Sequence, residues 1–233
     1  MRLTMPLPFD EAWESIRSAP GRRLGDGVFS GYTNPRLHTL PGGHRFVSKR
    51  GAHPAQALNE YDMNRYLDAL GVNVPEASLQ TDDDRPTMLS RFEEQASPLS
   101  LHDKAAVQRV REDFVPHAAI ANWDVLGNNL DNVLVRPDGQ PSYVDIGGSG
   151  PWRGTGEAKG HLWGGDVNEL DTMQWRPPHS ESVFGGMTDE EMGRSWDKYG
   201  GEDAFNQALQ HLQDTQTRGI MEQRIGDIAR QVA

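Results

Sequence analysis

The chain has 233 residues, with 34 acidic against 23 basic side chains (net charge −11), 36% hydrophobic and 24% charged residues, and no cysteine. That length holds one large domain or two small lobes sharing a cleft, and a pI near 5.1 argues against general electrostatic attraction to nucleic acid or an anionic membrane. Without cysteine there is no disulfide scaffold and no thiolate zinc site, so any metal is held by oxygen or imidazole.

Phe9, Ala12, Trp13 and Ile16 recur at helical spacing and predict a leading helix over Pro8–Ser18, stopped by Ala19, Pro20 and Gly21. From Arg22 to Arg50 the runs LGDGVFSGY, RLHTL and HRFVSKR, broken by Asn34-Pro35 and Pro41-Gly42-Gly43, predict a small antiparallel meander. Leu58, Tyr61, Met63, Tyr66, Leu67 and Leu70 then mark a helix over Ala55–Leu70, ending at Gly71, where glycine can take the left-handed capping conformation. Strands are expected over Glu76–Leu79 and Thr87–Phe92. Beyond Glu93–Pro98 the pattern turns helical, which places a lobe boundary near residues 94 to 98: an N-lobe over 1–95 and a C-lobe over 96–233.

In the second half, Leu101–Val110 and Asp113–Ala121 read as helices. Asn132–Val135 and Ser142–Ile146 read as strands joined by Arg136-Pro137-Asp138-Gly139-Gln140, whose Pro-Asp-Gly signals a hairpin turn. Gly147–Gly165 is glycine-rich and expected as loop. Several helices follow, the last two over Ala204–Thr215 and Ile220–Val232. The expected class is α+β: a five-stranded sheet with one helix, then a mostly helical lobe carrying the hairpin.

The segment N122-W-D-V-L-G-N-N-L-D-N-V-L-V135 places two acids and four carboxamides in eleven residues directly before an apolar strand. Y143-V-D-I-G-G148 follows on the return strand. A hairpin between them brings Asn132 near Asp145, and an amide oxygen beside a carboxylate makes a hard-oxygen site suited to Mg²⁺, with Mn²⁺ as a substitute. Asp124, just upstream, can orient a nucleophilic hydroxyl. Asn129 and Asp131 compete with Asn132 for the ligand role. Singly these residues are explained as turn formers that bond their own backbone; their order along the chain is what gives them joint meaning.

That order resembles the catalytic and metal-binding loops of the protein-kinase-like superfamily, above all its atypical members: the phosphatidylinositol-kinase-related, HipA-like and actin-fragmin-kinase-like enzymes. N-V-L-V and V-D-I-G-G fit the pattern; Asp124 to Asn132 spans eight residues where the usual offset is about five, which implies a loop insertion. The resemblance implies ATP as the nucleotide, with Lys49 on its phosphates and Glu60 holding Lys49 by an ion pair. Strand alternation favours Lys49 over its rival Arg50, since Phe46 and Ser48 face the side opposite Val47 and Lys49. G25-D-G-V-F-S-G31, with Gly25 and Gly27, corresponds to the phosphate loop, and Arg91 and Phe92 belong to a hinge, Arg91–Gln95, whose backbone could bind adenine.

Arg153 or Lys159 in R153-G-T-G-E-A-K-G160 could approach a transferred phosphate, with a plain surface loop as the alternative. The expected activity is γ-phosphoryl transfer to a hydroxyl, on a protein acceptor first, with a small molecule or lipid headgroup as alternatives. Adenylyl transfer on the same scaffold and a pseudokinase binding module are the rival functions, and a structural protein with an incidental Asn-rich turn is a third. The chain lacks an apolar run of the roughly 18 to 20 residues that span a bilayer and a signal-peptide core. A monomer in the cytoplasm, or a bacterial effector exported without a signal peptide, is therefore expected, with no nucleic-acid partner.

Overall fold

The computed structural model describes residues 6–18, 22–23, 35–51, 53–82 and 85–232. Helix α1 (Phe9–Ser18) is followed by strands β1 (Arg22–Arg23), β2 (Arg36–Thr39) and β3 (Arg45–Lys49), helix α2 (Pro54–Leu70), and strands β4 (Ala77–Asp82) and β5 (Arg85–Arg91). The strands form one antiparallel sheet in the order β1-β2-β3-β5-β4. Its register sorts the two faces. Lys49 lies opposite Met88 and Val47 opposite Ser90, while Phe46 lies opposite Arg91 and Ser48 opposite Leu89. Directly paired residues share a face. Phe46 and Leu89 pack with Ala12, Trp13 and Ile16 of α1 in a small core on one side, which leaves Val47, Lys49, Met88 and Ser90 on the other, toward a cleft.

Helix α2 begins with Pro54 in its first turn, where the missing N–H costs nothing, and His53 Nδ1 accepts from the Ala55 amide at 3.2 Å. It ends at Gly71 with φ 86°, the left-handed cap that the sequence signals. Its apolar residues Met63, Tyr66, Leu67 and Leu70 belong to the large core shared with the helices that follow, rather than to the small core under α1.

A second sheet, in the order β6-β7-β8, comprises β6 (Ser97–Pro98), β7 (Val133–Val135) and β8 (Pro141–Tyr143). Both hairpin strands are shorter than their apolar runs suggest, and β8 stops two residues before Asp145. Between β6 and β7 lie α3 (Lys104–Glu112), capped by Asp103, and α4 (Phe114–Ala119). The remainder is helical: α5 (Glu169–Thr172), α6 (Ser180–Val183), α7 (Asp189–Lys198), α8 (Gly201–Ala208) and α9 (Thr215–Val232). Helix α7 opens with a capping box between Thr188 and Glu191.

Helix α9 begins five residues before the apolar period does. Asp214 caps it, accepting from the Gln216 amide at 2.9 Å and the Thr217 hydroxyl at 2.9 Å, so the polar turn Thr215–Gly219 is helical without an apolar stripe. Among the described residues no helix is long and apolar enough to cross a membrane. The architecture is mixed α and β, a small antiparallel sheet set against a helical body.

Candidate active site

Lys49 ends β3 on the cleft face, and its Nζ donates to Glu60 Oε1 at 2.6 Å and to Asp145 Oδ1 at 2.8 Å. Three segments far apart in sequence thus meet at one ammonium. Glu60 reaches it because α2 runs beneath the sheet; Asp145 reaches it because its backbone leaves β8 in the left-handed conformation, φ 57° and ψ 55°. Aspartate tolerates that region better than most residues. Burial by itself would lower the Lys49 pKa, but the charges of Asp145 and Glu60 outweigh it and hold the ammonium protonated, above its ordinary value. For Glu60, burial pushes the carboxyl upward and Lys49 pulls it back.

The catalytic-loop candidates come from the turn-rich stretch between α4 and β7. Asn132 Nδ2 donates to the Asp124 carbonyl at 2.7 Å, and the Asn132 carbonyl accepts from the Val144 amide at 2.9 Å. Asn132 is therefore tied both to Asp124 and to the residue preceding Asp145. With its NH₂ group spent on Asp124, its amide oxygen is the atom it can offer a cation. Gly127 (φ 68°) and Leu130 (φ 61°) are both left-handed and curl the long loop between Asp124 and Asn132. Gly127 is needed for space as well: a Cβ there would lie 2.5 Å from Asp131 Oδ1 and 3.0 Å from Asn132 Cγ. Asn129 and Asp131 also line the cleft, Asn129 being exposed where Asn132 is buried. Burial raises the Asp124 pKa to about 6, with Asp145 and Asp131 adding to the shift and Asn132 and Lys49 opposing it.

The glycine run after Asp145 is wedged between α2 and the segment that leads into the Asp124–Asn132 loop. Asn59 Nδ2 donates to the Ser149 carbonyl at 3.1 Å, the Gly150 amide donates to the Ile120 carbonyl at 2.6 Å, and a Cβ on Gly150 would fall 2.7 Å from Met63 Cε. The following segment folds into a tight loop, with an isolated bridge between Trp152 and Ala158 and the Arg153 amide bonded to the Glu157 carbonyl at 2.8 Å. Its tip, Gly154, abuts the site: a Cβ there would sit 3.0 Å from Asp124 Oδ2. Arg153 is exposed at this tip. Lys159 is not: it is buried, its Nζ bonded to three backbone carbonyls, so it does not point to the place where a phosphate would be transferred. Burial pulls its pKa down to about 7, opposed by Glu169 and reinforced by Arg224 and Arg153.

The cleft between the sheet and the helical body has a volume of about 480 Å³. Val47, Met88, Leu134 and Ile146 give it apolar walls; Lys49, Asp124, Asn132 and Asp145 form its polar end. Arg91 and Phe92 line it as well, but their amides are already committed, Arg91 to the Glu76 carbonyl and Phe92 to the Arg45 carbonyl, both at distances near a normal bond (2.9 and 3.1 Å). The Arg91 guanidinium follows Phe46 to the opposite face, bonding Glu76 and lying 4.8 Å from the Phe9 ring centroid. Gly25 and Gly27 lie outside the described residues. Sequence reasoning missed Asn59, whose polar side chain gives no helical apolar signal, and it missed the burial of Lys159.

No protein-family model and no curated protein matches the sequence. Among solved structures, the chain is similar to the Helicobacter pylori proinflammatory kinase CtkA, with a TM-score of 0.56 and 9% identity over 91% of this chain and 96% of that one. It also aligns with HipA from Shewanella oneidensis MR-1 (TM-score 0.39, 10% identity, 100% of this chain and 72% of that one) and with choline kinase LicA from Streptococcus pneumoniae (0.37, 11%, 96% and 89%). The fold is protein-kinase-like.

Proposed function

We propose that the chain is a phosphotransferase that moves the γ-phosphate of Mg·ATP to a hydroxyl, with a protein as the first-choice acceptor. The observation that carries this reading is the convergence of Glu60 and Asp145 on the Lys49 ammonium at the polar end of a cleft that also holds Asp124 and Asn132. The Helicobacter pylori protein of similar fold is described as a kinase, and fold-level analogy points the same way. Adenine would lie between Val47, Met88, Leu134 and Ile146, meeting the Arg91–Gln95 hinge through groups other than the Arg91 and Phe92 N–H donors.

Asn132 and Asp145 would be the oxygen donors for Mg²⁺ or Mn²⁺. Among the described residues no group of three or more His, Asp or Glu is placed to hold a metal alone. One carboxylate and one carboxamide fit an ion that arrives with phosphates and keeps waters. When bound, the ion neutralises charge on the phosphate oxygens. Lys49, fixed by Glu60, adds its own charge to the same oxygens, and Asp124 accepts the proton of the acceptor hydroxyl as the new O–P bond forms and the bond to the ADP oxygen breaks.

Incubation with ATP labelled on either the γ- or the α-phosphate tests the reading. Transfer of the γ-label is expected. Transfer of the α-label would mean adenylyl transfer, and neither transfer nor Mg²⁺-dependent turnover would mean a binding module.

The Asp124 assignment carries a pH signature. A base with a pKa of about 6 is unprotonated, and active, above that pH. So kcat/KM is expected to rise with pH through about 6 and then level off. The limb of kcat should lie lower, because a cation beside Asp124 favours its charged form. A kcat/KM limb at the ordinary aspartate range near 4, or none at all, would remove Asp124 as the base.

A further inference from the structure

Beneath the two loops that carry the site stands a buried cation the transfer reaction does not use. Lys159 Nζ donates to the carbonyls of Ala121 at 2.8 Å, Gly148 at 3.0 Å and Gly150 at 2.9 Å. An ammonium has three N–H donors, so all are used, and the three carbonyls favour this charged form against the burial that pulls its pKa down to about 7. Burying a charge is costly unless it is fully bonded, and a three-donor point is what this set of carbonyls requires. No neutral side chain supplies three donors from one atom.

The acceptors are placed where they matter. Ala121 stands three residues before Asp124, and Gly148 three residues after Asp145. Ala121 takes φ 49°, a conformation disfavoured for a residue with a Cβ, and its carbonyl is one of the three that Lys159 holds. Lys159 also closes the base of the 151–159 loop, its own amide bonding the Pro151 carbonyl at 2.7 Å, and the tip of that loop is what abuts Asp124.

We propose that Lys159 is a positioning residue that sets the separation of Asp124 and Asp145, one ammonium clamping the catalytic loop to the glycine run through three backbone carbonyls. The catalytic consequence rests on the phosphotransferase reading of Asp124 and Asp145; the clamp itself rests on the three bonds.

Lys159→Ala separates the two. The truncation removes three methylenes and the ammonium, which n-propylammonium can replace. In γ-phosphate transfer, kcat of the variant is expected to fall by about 10²-fold, as displacement of a catalytic group by an ångström does, with the KM for ATP changing by less than about threefold. Added n-propylammonium chloride restores at least tenfold of the loss, about 1.4 kcal/mol of barrier. Tetramethylammonium, which has no N–H, restores nothing. Equal rescue by both cations, or undiminished kcat, overturns the proposal.

Amide hydrogen exchange reads the clamp without turnover. In Lys159→Met, peptides covering 119–126 and 146–156 are expected to exchange faster while those of α9 and the five-stranded sheet stay as in the wild type. Unchanged exchange in the two loops, or acceleration throughout the helical body, overturns the clamp even if the wild-type protein transfers no phosphate. A wild type without turnover but with the local exchange change sinks the phosphotransferase reading alone.

Discussion

Asp145→Asn is expected to remove roughly 10³-fold from kcat/KM for γ-phosphate transfer, about 4 kcal/mol of transition-state stabilisation, while leaving the fold in place. Asparagine suits the position because Asp145 is left-handed at φ 57°, a conformation that Asn adopts as readily as Asp, whereas alanine would add backbone strain to the loss of charge. The Lys49–Glu60 contact at 2.6 Å remains, so the ammonium keeps one buried partner. On the phosphotransferase reading, what disappears is the charged oxygen donor proposed for the metal, together with half of the pair that holds Lys49 protonated. A second signature follows from the same substitution. Asp145 is among the charges that raise the Asp124 pKa to about 6, so in the variant the remaining activity should persist to lower pH than in the wild type. A folded Asp145→Asn protein with undiminished γ-phosphate transfer would remove Asp145 from the site; one whose residual rate keeps the wild-type acid limb would separate Asp145 from Asp124.

The residues that sequence made legible share a physical trait: their signal is local. Alternation along β3 places Lys49 opposite Phe46, because period-two geometry needs no knowledge of the rest of the chain. Gly71 stops α2 for an equally local reason. The Pro-Asp-Gly turn likewise makes the hairpin that joins Asn132 to Val144. The parts that were not legible depend on distant partners. Asn59, Asp62 and Asn64 all lie buried on α2, where apolar periodicity reads polar residues as exposed. Each finds a distant partner: Asn59 the Ser149 carbonyl, Asn64 the Pro75 carbonyl, and Asp62, through Oδ2, the Gln213 amide. Helix α2, placed in the N-lobe by sequence, packs on β4 and β5 while its apolar residues join the core of the helical body. The eight-residue step from Asp124 to Asn132 looks too long until the two positive-φ residues, Gly127 and Leu130, fold the extra length back so that Asn132 bonds the Asp124 carbonyl.

Buried cations were the largest omission, since lysine and arginine are expected at the surface unless paired. Arg224, on α9, is completely buried, and its removal is expected to destabilise the fold strongly. Its Nε donates to the Ala119 carbonyl at 2.7 Å, Nη2 to the Ala118 carbonyl at 3.0 Å and to Glu169 Oε2 at 2.8 Å, and Nη1 to the Gly164 carbonyl at 2.9 Å. The guanidinium also lies 4.7 Å from the Trp163 ring centroid. Arg224→Met keeps much of the volume and none of the donors. It leaves the Glu169 carboxylate, 2% exposed, without its cation and several carbonyls without their donor. Breaking a buried pair from one side costs about 3 to 5 kcal/mol, which for a chain of this size lowers Tm by on the order of 10 °C. Glu169→Gln combined with Arg224→Met should recover part of that loss, because no stranded charge remains; a purely steric role for Arg224 predicts simple additivity instead. The loss should also reach the site below the melting range. Ala118 and Ala119 lead into the catalytic loop, and Glu169 Oε1 accepts from Trp123 Nε1 at 3.3 Å, beside Asp124. Thermal unfolding of the two variants, with a Tm change for Arg224→Met under about 3 °C as the contrary result, decides whether this buried charge holds the helical body to the Asp124–Asn132 loop.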